Sequence, residues 1–255
     1  MKLFIRRFGQ GFPVIILHGL LGLSDNWVSF GRRLAADFDV IIPDLRNHGQ
    51  SQHSSVFDYP SLVEDLGEMI SDLNLQEFFL IGHSLGGKIA VQYALEYPER
   101  LQKLVVVDIS LRKYTSNTQQ QELIDAMLAV NFTGITSRGG LESQLASSVK
   151  STKLRQFLMK NAYWVDKDHL AWRIDLKSIN ENLPLIFEGI VSDKKFEKPT
   201  MFIRGGLSGY ILDDDMPEIL SRFPDATLKT IENATHWVHA DAPEEFYSLV
   251  KDFLS

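Results

Sequence analysis

The sequence predicts an α/β architecture: a mostly parallel central sheet, helices on both faces and an inserted helical cap. Three observations carry the α/β expectation. Short apolar runs recur without polar alternation, as strands buried on both faces require. Stretches with helical spacing lie between them, giving a β-then-α rhythm. One strand-like run then ends in Gly-x-Ser-x-Gly, the signature of a sharp strand-to-helix turn that exposes a serine.

The strand-like runs are residues 14–17, 40–43, 78–81, 104–107 and 201–203, with a further candidate at 227–232. Helical patterns cover residues 27–37, 59–73 and 88–97, and a final helix begins near Ala242. The rhythm breaks after Asp108. Between Arg112 and Glu197 only helix-like segments joined by loops are expected, at 122–130, 141–149, 154–163 and 185–191. Strand signals resume at Pro199. The expected division is a core of residues 1–111 and 198–255 with a cap of residues 112–197, inserted above the sheet's C-terminal ends. The polar stretch 110–121 reads as a hinge or mobile loop.

Bulk properties narrow the function. The 255 residues supply ample material for a core, and a formal net charge of -7 without a basic run argues against nucleic-acid binding. The chain has no cysteine, which removes disulfides, thiolate metal sites and cysteine nucleophiles. Arg6 and Arg7 interrupt the early apolar residues, so no signal peptide is read there. No stretch approaches the ~18 apolar residues of a membrane span. The expectation is a cytoplasmic protein.

The chemistry centres on Phe79-Leu80-Ile81-Gly82-His83-Ser84-Leu85-Gly86-Gly87. Gly82 and Gly86 let backbone pack on backbone, leaving Ser84 exposed above the sheet as a nucleophile. A serine hydroxyl needs a base, a group to orient that base, and donors for the oxyanion. His236 is the best-placed base, because it follows the strand-like run at 227–232 and precedes the final helix. His239 is a substitute, with a supporting role favoured; a His236–His239 metal pair lacks a third ligand. The orienting acid is Asp108, at the end of the strand that follows the nucleophile helix. Asp213 is the alternative, in the later loop where Ser208 occupies the place expected for an aspartate. The oxyanion donors are the Leu85 N–H and, from the Leu17-His18-Gly19-Leu20-Leu21-Gly22 loop, that of Leu20 or less favourably Leu21. His18 is expected to brace that loop, and His83 to point away from the nucleophile or pack beneath it. His48, His53 and His169 read as surface residues. Asp44-Leu45-Arg46-Asn47-His48-Gly49-Gln50-Ser51 reads as a structural turn. Trp27, Trp164, Trp172, Trp237 and the cap phenylalanines are candidates for an acyl pocket.

Together these residues resemble the α/β-hydrolase superfamily over essentially the whole chain. The narrower resemblance is to the YbfF-type bacterial esterases, carried by Asp44-Leu45-Arg46-Asn47-His48-Gly49, Gly82-His83-Ser84-Leu85-Gly86-Gly87-Lys88, Val107-Asp108-Ile109, Arg204-Gly205-Gly206-Leu207-Ser208-Gly209-Tyr210 and His236-Trp237-Val238-His239-Ala240. The resemblance implies hydrolysis of carboxylic esters, and in some members of acyl-CoA thioesters, with no cofactor or metal and with a small-molecule acyl substrate as partner. It also places the acid on the Asp-Ile strand end, favouring Asp108. One departure is that Leu111 stands where the family has proline, which is expected to loosen the cap entrance. The alternatives are a C–C bond hydrolase or cofactor-free perhydrolase on the same triad, or a non-catalytic ligand-binding module. Dehalogenases and epoxide hydrolases of this fold need an aspartate nucleophile, and Ser84 argues against them.

Overall fold

The computed structural model describes residues 1–115 and 118–255. In chain order the elements are β1 (Ile5–Phe8), β2 (Phe12–Leu17), α1 (Val28–Leu34), β3 (Phe38–Pro43), α2 (Tyr59–Asp72), β4 (Phe78–His83), α3 (Leu85–Glu96) and β5 (Leu101–Val107). Then come α4 (Thr118–Leu128), α5 (Arg138–Ser148), α6 (Thr152–Met159), β6 (Ala162–Trp164), β7 (Leu170–Trp172) and α7 (Leu176–Ile186). The chain returns through β8 (Thr200–Gly205), α8 (Met216–Arg222), β9 (Ala226–Ile231), α9 (Val238–Asp241) and α10 (Pro243–Leu254).

Among the described residues, seven strands form one sheet in the order β1-β3-β2-β4-β5-β8-β9. Only β1 runs antiparallel to its neighbour; the other pairs are parallel. Successive side chains of a strand point to opposite faces, and here both faces are apolar. Ile15, Leu17, Leu80, Leu104 and Val106 join the core beneath α2 and α3. Val14, Ile16, Phe79, Ile81, Val105 and Val107 pack on the other side, with Leu34 of α1 and Phe246 and Val250 of α10. This two-sided burial is why the strands read as unbroken apolar runs.

Register then aligns the ends that matter. His83 pairs with Val107, and Val107 with Ile203, so β4, β5 and β8 terminate side by side. The loops after them open on one edge of the sheet, at the C-terminal ends where α/β folds place their sites.

Between β5 and β8 the chain leaves the sheet. Two features there differ from the sequence expectation. The three-residue strands β6 and β7 pair as a small antiparallel ribbon; each is too short to show a period. The fourth helix runs over Leu176–Ile186 rather than 185–191. Its N-cap Asp175 accepts the Ser178 N–H, while Pro184 lies inside its last turn. That proline disguises the helical pattern where it ends. Of the polar stretch 110–121, Ser116 and Asn117 lie outside the described residues. The rest is not hinge-like: residues 118–121 belong to α4, and the segment before them is tied down. The Ser110 N–H donates to the Tyr114 hydroxyl (2.8 Å), the Tyr114 N–H to the Phe187 carbonyl (2.9 Å) and the Ile190 N–H to the Leu111 carbonyl (2.8 Å). Leu111 is buried. Apolar burial and hydrogen bonding therefore hold the entrance that the missing proline was expected to loosen.

Candidate active site

Ser84 sits between β4 and α3 with φ 53° and ψ −116°, a region costly for any residue but glycine. The neighbours make the turn possible. A Cβ on Gly82 would fall 2.2 Å from the Gly86 carbonyl oxygen, and one on Gly86 would fall 2.5 Å from that of Leu17. The turn is held by the Ser84 N–H donating to the Val107 carbonyl (3.0 Å) and the Lys88 N–H to that of Ser84 (3.1 Å).

Three of the expected residues converge. The Ser84 hydroxyl lies 3.0 Å from His236 Nε2, and His236 Nδ1 lies 2.7 Å from Asp108 Oδ2. With Nδ1 protonated and donating to the carboxylate, Nε2 is left as an acceptor for the serine proton. Asp108 is fully buried and takes a positive φ of 48° to turn its carboxylate off the end of β5. Both of its oxygens are satisfied: Oδ1 accepts the Gly205 N–H (3.0 Å), and Oδ2 accepts the Ser208 hydroxyl (2.5 Å) as well as His236. Ser208 thus stands in the loop after β8 as a hydrogen-bond donor to the Asp108 carboxylate. Asp213 is mostly exposed and ion-paired to Arg204 (2.6 Å), away from this chain of contacts.

The histidine loop is clamped from two sides. The Tyr210 ring stacks on His236 with centroids 3.9 Å apart and planes 20° apart. From below, His83 Nε2 donates to the His236 carbonyl (2.9 Å). Burial, reinforced by His236 and His239 nearby, pushes the His83 pKa well below the usual value, so it remains a neutral donor. His239 is partly buried, stacked on Trp27 at 4.1 Å, and desolvation pulls its pKa to about 3. Among the described residues no cluster of three or more His, Cys, Asp or Glu side chains could hold a metal.

The loop after β2 lies against the elbow: a Cβ on Gly19 would meet His83 Nδ1 at 3.0 Å and Ser84 Cβ at 3.2 Å. The Leu21 N–H donates to His48 Nε2 (3.2 Å) and the Gly22 N–H to the Gly19 carbonyl (3.0 Å). Leu21 is therefore engaged, which leaves Leu20 as the candidate donor in that loop. Leu85 opens α3, so its N–H has no intrahelical acceptor. His48, expected at the surface, is fully buried. It works reciprocally with His18, which accepts the Leu45 N–H at Nε2 (3.0 Å), so each histidine braces the other's loop. Burial pulls His18 down and His48 to about 3, leaving both neutral. His53 and His169 are exposed, as expected. The turn at 44–51 is structural: Asp44 accepts the Ser24 and Gln50 N–H groups, and a Cβ on Gly49 would fall 2.0 Å from its carboxylate.

A narrow cavity of about 60 Å³ opens at Ser84, lined by Leu20, Leu85, Phe157, Phe187, Tyr210 and Trp237 among others. Of the expected acyl-pocket aromatics, Trp237 lines it. Trp27 is buried beneath His239, Trp164 is exposed, and the Trp172 indole N–H donates to the Met127 carbonyl (2.9 Å). Sequence reasoning missed Tyr210 and Lys88 as pocket residues, although both stood inside motifs already singled out.

Comparison with known proteins agrees with this architecture. Residues 13–243 match a family model described as the alpha/beta hydrolase fold. The sn-1-specific diacylglycerol lipase ABHD11 of Danio rerio is 38% identical, over 96% of this chain and 79% of that protein. Esterase YbfF of Escherichia coli (strain K12) is 30% identical, over 95% of this chain and 93% of its own. The solved structure of a marine microorganism esterase superposes with a TM-score of 0.96 at 38% identity, covering 99% of both chains. The chain belongs to the α/β-hydrolase family and is a hydrolase of its esterase type.

Proposed function

We propose that this protein is a serine carboxylesterase acting through an acyl-enzyme on Ser84. The observation that carries the proposal is the unbroken chain from Ser84 Oγ through His236 to Asp108, with contacts of 3.0 and 2.7 Å. His236 takes the serine proton as Oγ attacks the acyl carbonyl, and Asp108 stabilises the imidazolium that forms. The Leu20 and Leu85 N–H groups receive the oxyanion; such a donor typically contributes on the order of 3 kcal/mol in the transition state. The imidazolium then protonates the departing alkoxide. Water activated by the same histidine releases the acid. Residues 112–197 act as the cap over this cleft, and a thioester enters the same cycle with a thiolate leaving.

The cavity favours short acyl groups. The space at Ser84, about 60 Å³, is small and lined mostly by apolar side chains. The test is hydrolysis of p-nitrophenyl acetate, butyrate and octanoate by wild type and Ser84→Ala. Turnover is expected on the two shorter esters, to fall on octanoate, and to vanish in the variant while its circular dichroism stays unchanged. Turnover near wild type in Ser84→Ala would refute the mechanism.

A further inference from the structure

Ester hydrolysis leaves one pocket residue unexplained. Lys88 lies in the first turn of α3, four residues after Ser84. It is 1% exposed to solvent, yet lines the same cavity as Ser84 and His236. Its Nζ donates to the Glu188 carbonyl and lies 5.7 Å from the centre of the Tyr59 ring and 5.0 Å from that of Tyr114. Both hydroxyls are directed elsewhere, Tyr59 to the Ile186 carbonyl and Tyr114 to that of Tyr210. Rings so placed support a cation without neutralising it.

No carboxylate completes the charge. The Glu188 side chain is paired to Lys113 (2.6 Å), and Arg112, the other nearby charge, to Asp215 (3.2 Å). Among the described residues none forms an ion pair with Lys88. An ammonium has three donors, and a buried charge without a partner is costly. A lysine that served only to join α3 to the Glu188 carbonyl would not need to face the cavity. One that meets an anion brought by the substrate would.

We propose that Lys88 is a specificity-determining residue that receives a carboxylate at the far end of the acyl group, so that the preferred substrates are half-esters of short dicarboxylic acids. This rests on the ester-hydrolase reading. Water adds across the acyl C–O bond, and the half-ester becomes the dicarboxylate, its free alcohol and a proton. Ser84 and Lys88 line one small cavity, so a short acyl chain with a terminal carboxylate reaches from one to the other.

The experiment compares monoethyl succinate with ethyl isocaproate, in which an isopropyl group replaces the carboxylate, following acid release by titration. Wild type is expected to favour monoethyl succinate at least tenfold in kcat/KM, through a lower KM, and Lys88→Met to reduce that ratio at least tenfold. A wild-type ratio at or below one overturns the proposal, as does a variant that slows both substrates in proportion. Should Lys88→Met fail to fold, calorimetry of succinate on folded Ser84→Ala decides: saturable binding supports the anion site, and no binding overturns it. Wild type inactive on both esters would instead refute the esterase reading, while succinate binding would still report on Lys88.

Discussion

Asp108 and Asp213 separate a carboxylate that works through its neighbours from one that does not. Asp108 is fully buried against His236 and accepts from Gly205 and Ser208, so its carboxylate is held in place. An amide in its place would favour the wrong imidazole tautomer. Asp108→Asn is expected to lower kcat on p-nitrophenyl butyrate by about 10³–10⁴. Asp213, exposed beside Arg204, should change kcat less than about twofold as asparagine, since an exposed pair contributes roughly 0–1 kcal/mol. Steady-state kinetics of the two variants checks the ranking, and the reverse order would move the acid to the later loop. The Asp108 candidate was legible before any coordinates because β5 must follow the nucleophile helix. The partnership with Ser208 was not. A serine in place of an expected aspartate says that the acid lies elsewhere, but not that the serine will bind it.

At the scale of elements, the elbow is a contact between backbones. Gly82 and Gly86 bring β4, α3 and the end of β2 within a distance that leaves no room for a methyl group. Gly86→Ala is expected to cost about 1–3 kcal/mol and to slow ester turnover, because relief of the clash moves the loop that carries Leu20. Gly67, inside α2, has nothing within 4 Å of its missing Cβ. Gly67→Ala should stabilise by about 0.4–1 kcal/mol. Urea denaturation of the two variants distinguishes them by sign. These elements were legible because their apolar runs are unbroken and their turns carry glycine. The β6–β7 ribbon and the position of α7 were not, since three-residue strands have no period and Pro184 interrupts the helix pattern it closes. His48 shows the same limit in a single side chain. Its burial follows from two loops meeting across the sheet's edge, and its own stretch of sequence holds no sign of the partner.

For the molecule as a whole, the buried histidines link the fold to pH. His18, His83, His48 and His239 all titrate below the ordinary value in the folded state, chiefly through burial. In the unfolded chain they take up protons near pH 6.5. The unfolded state therefore binds more protons as pH falls, and stability declines from about pH 6.5 downward until the folded pKa values near 3 are reached for His48 and His239. Each such group adds up to about 1.4 kcal/mol per pH unit to the slope. Urea midpoints are expected to drop steeply between pH 6.5 and 4, and His48→Gln to flatten that drop. An unchanged slope in the variant would show that His48 is not protonated on unfolding. None of the helices is long and apolar enough to cross a membrane among the described residues.

The distribution of Ser84, Asp108 and His236 along the chain also sets when the proposed triad can assemble during synthesis. Ser84 and Asp108 directly follow strands near the middle of the sheet, whereas His236 follows the edge strand β9 and comes 128 residues after Asp108. Translation proceeds from the N-terminus, so a nascent chain presents its serine and its acid long before its base. On the proposed mechanism, Ser84 has no proton acceptor until β9 docks against β8 and brings His236 to it. If the proposed triad holds, folding of the sheet's outer edge is the step that completes it.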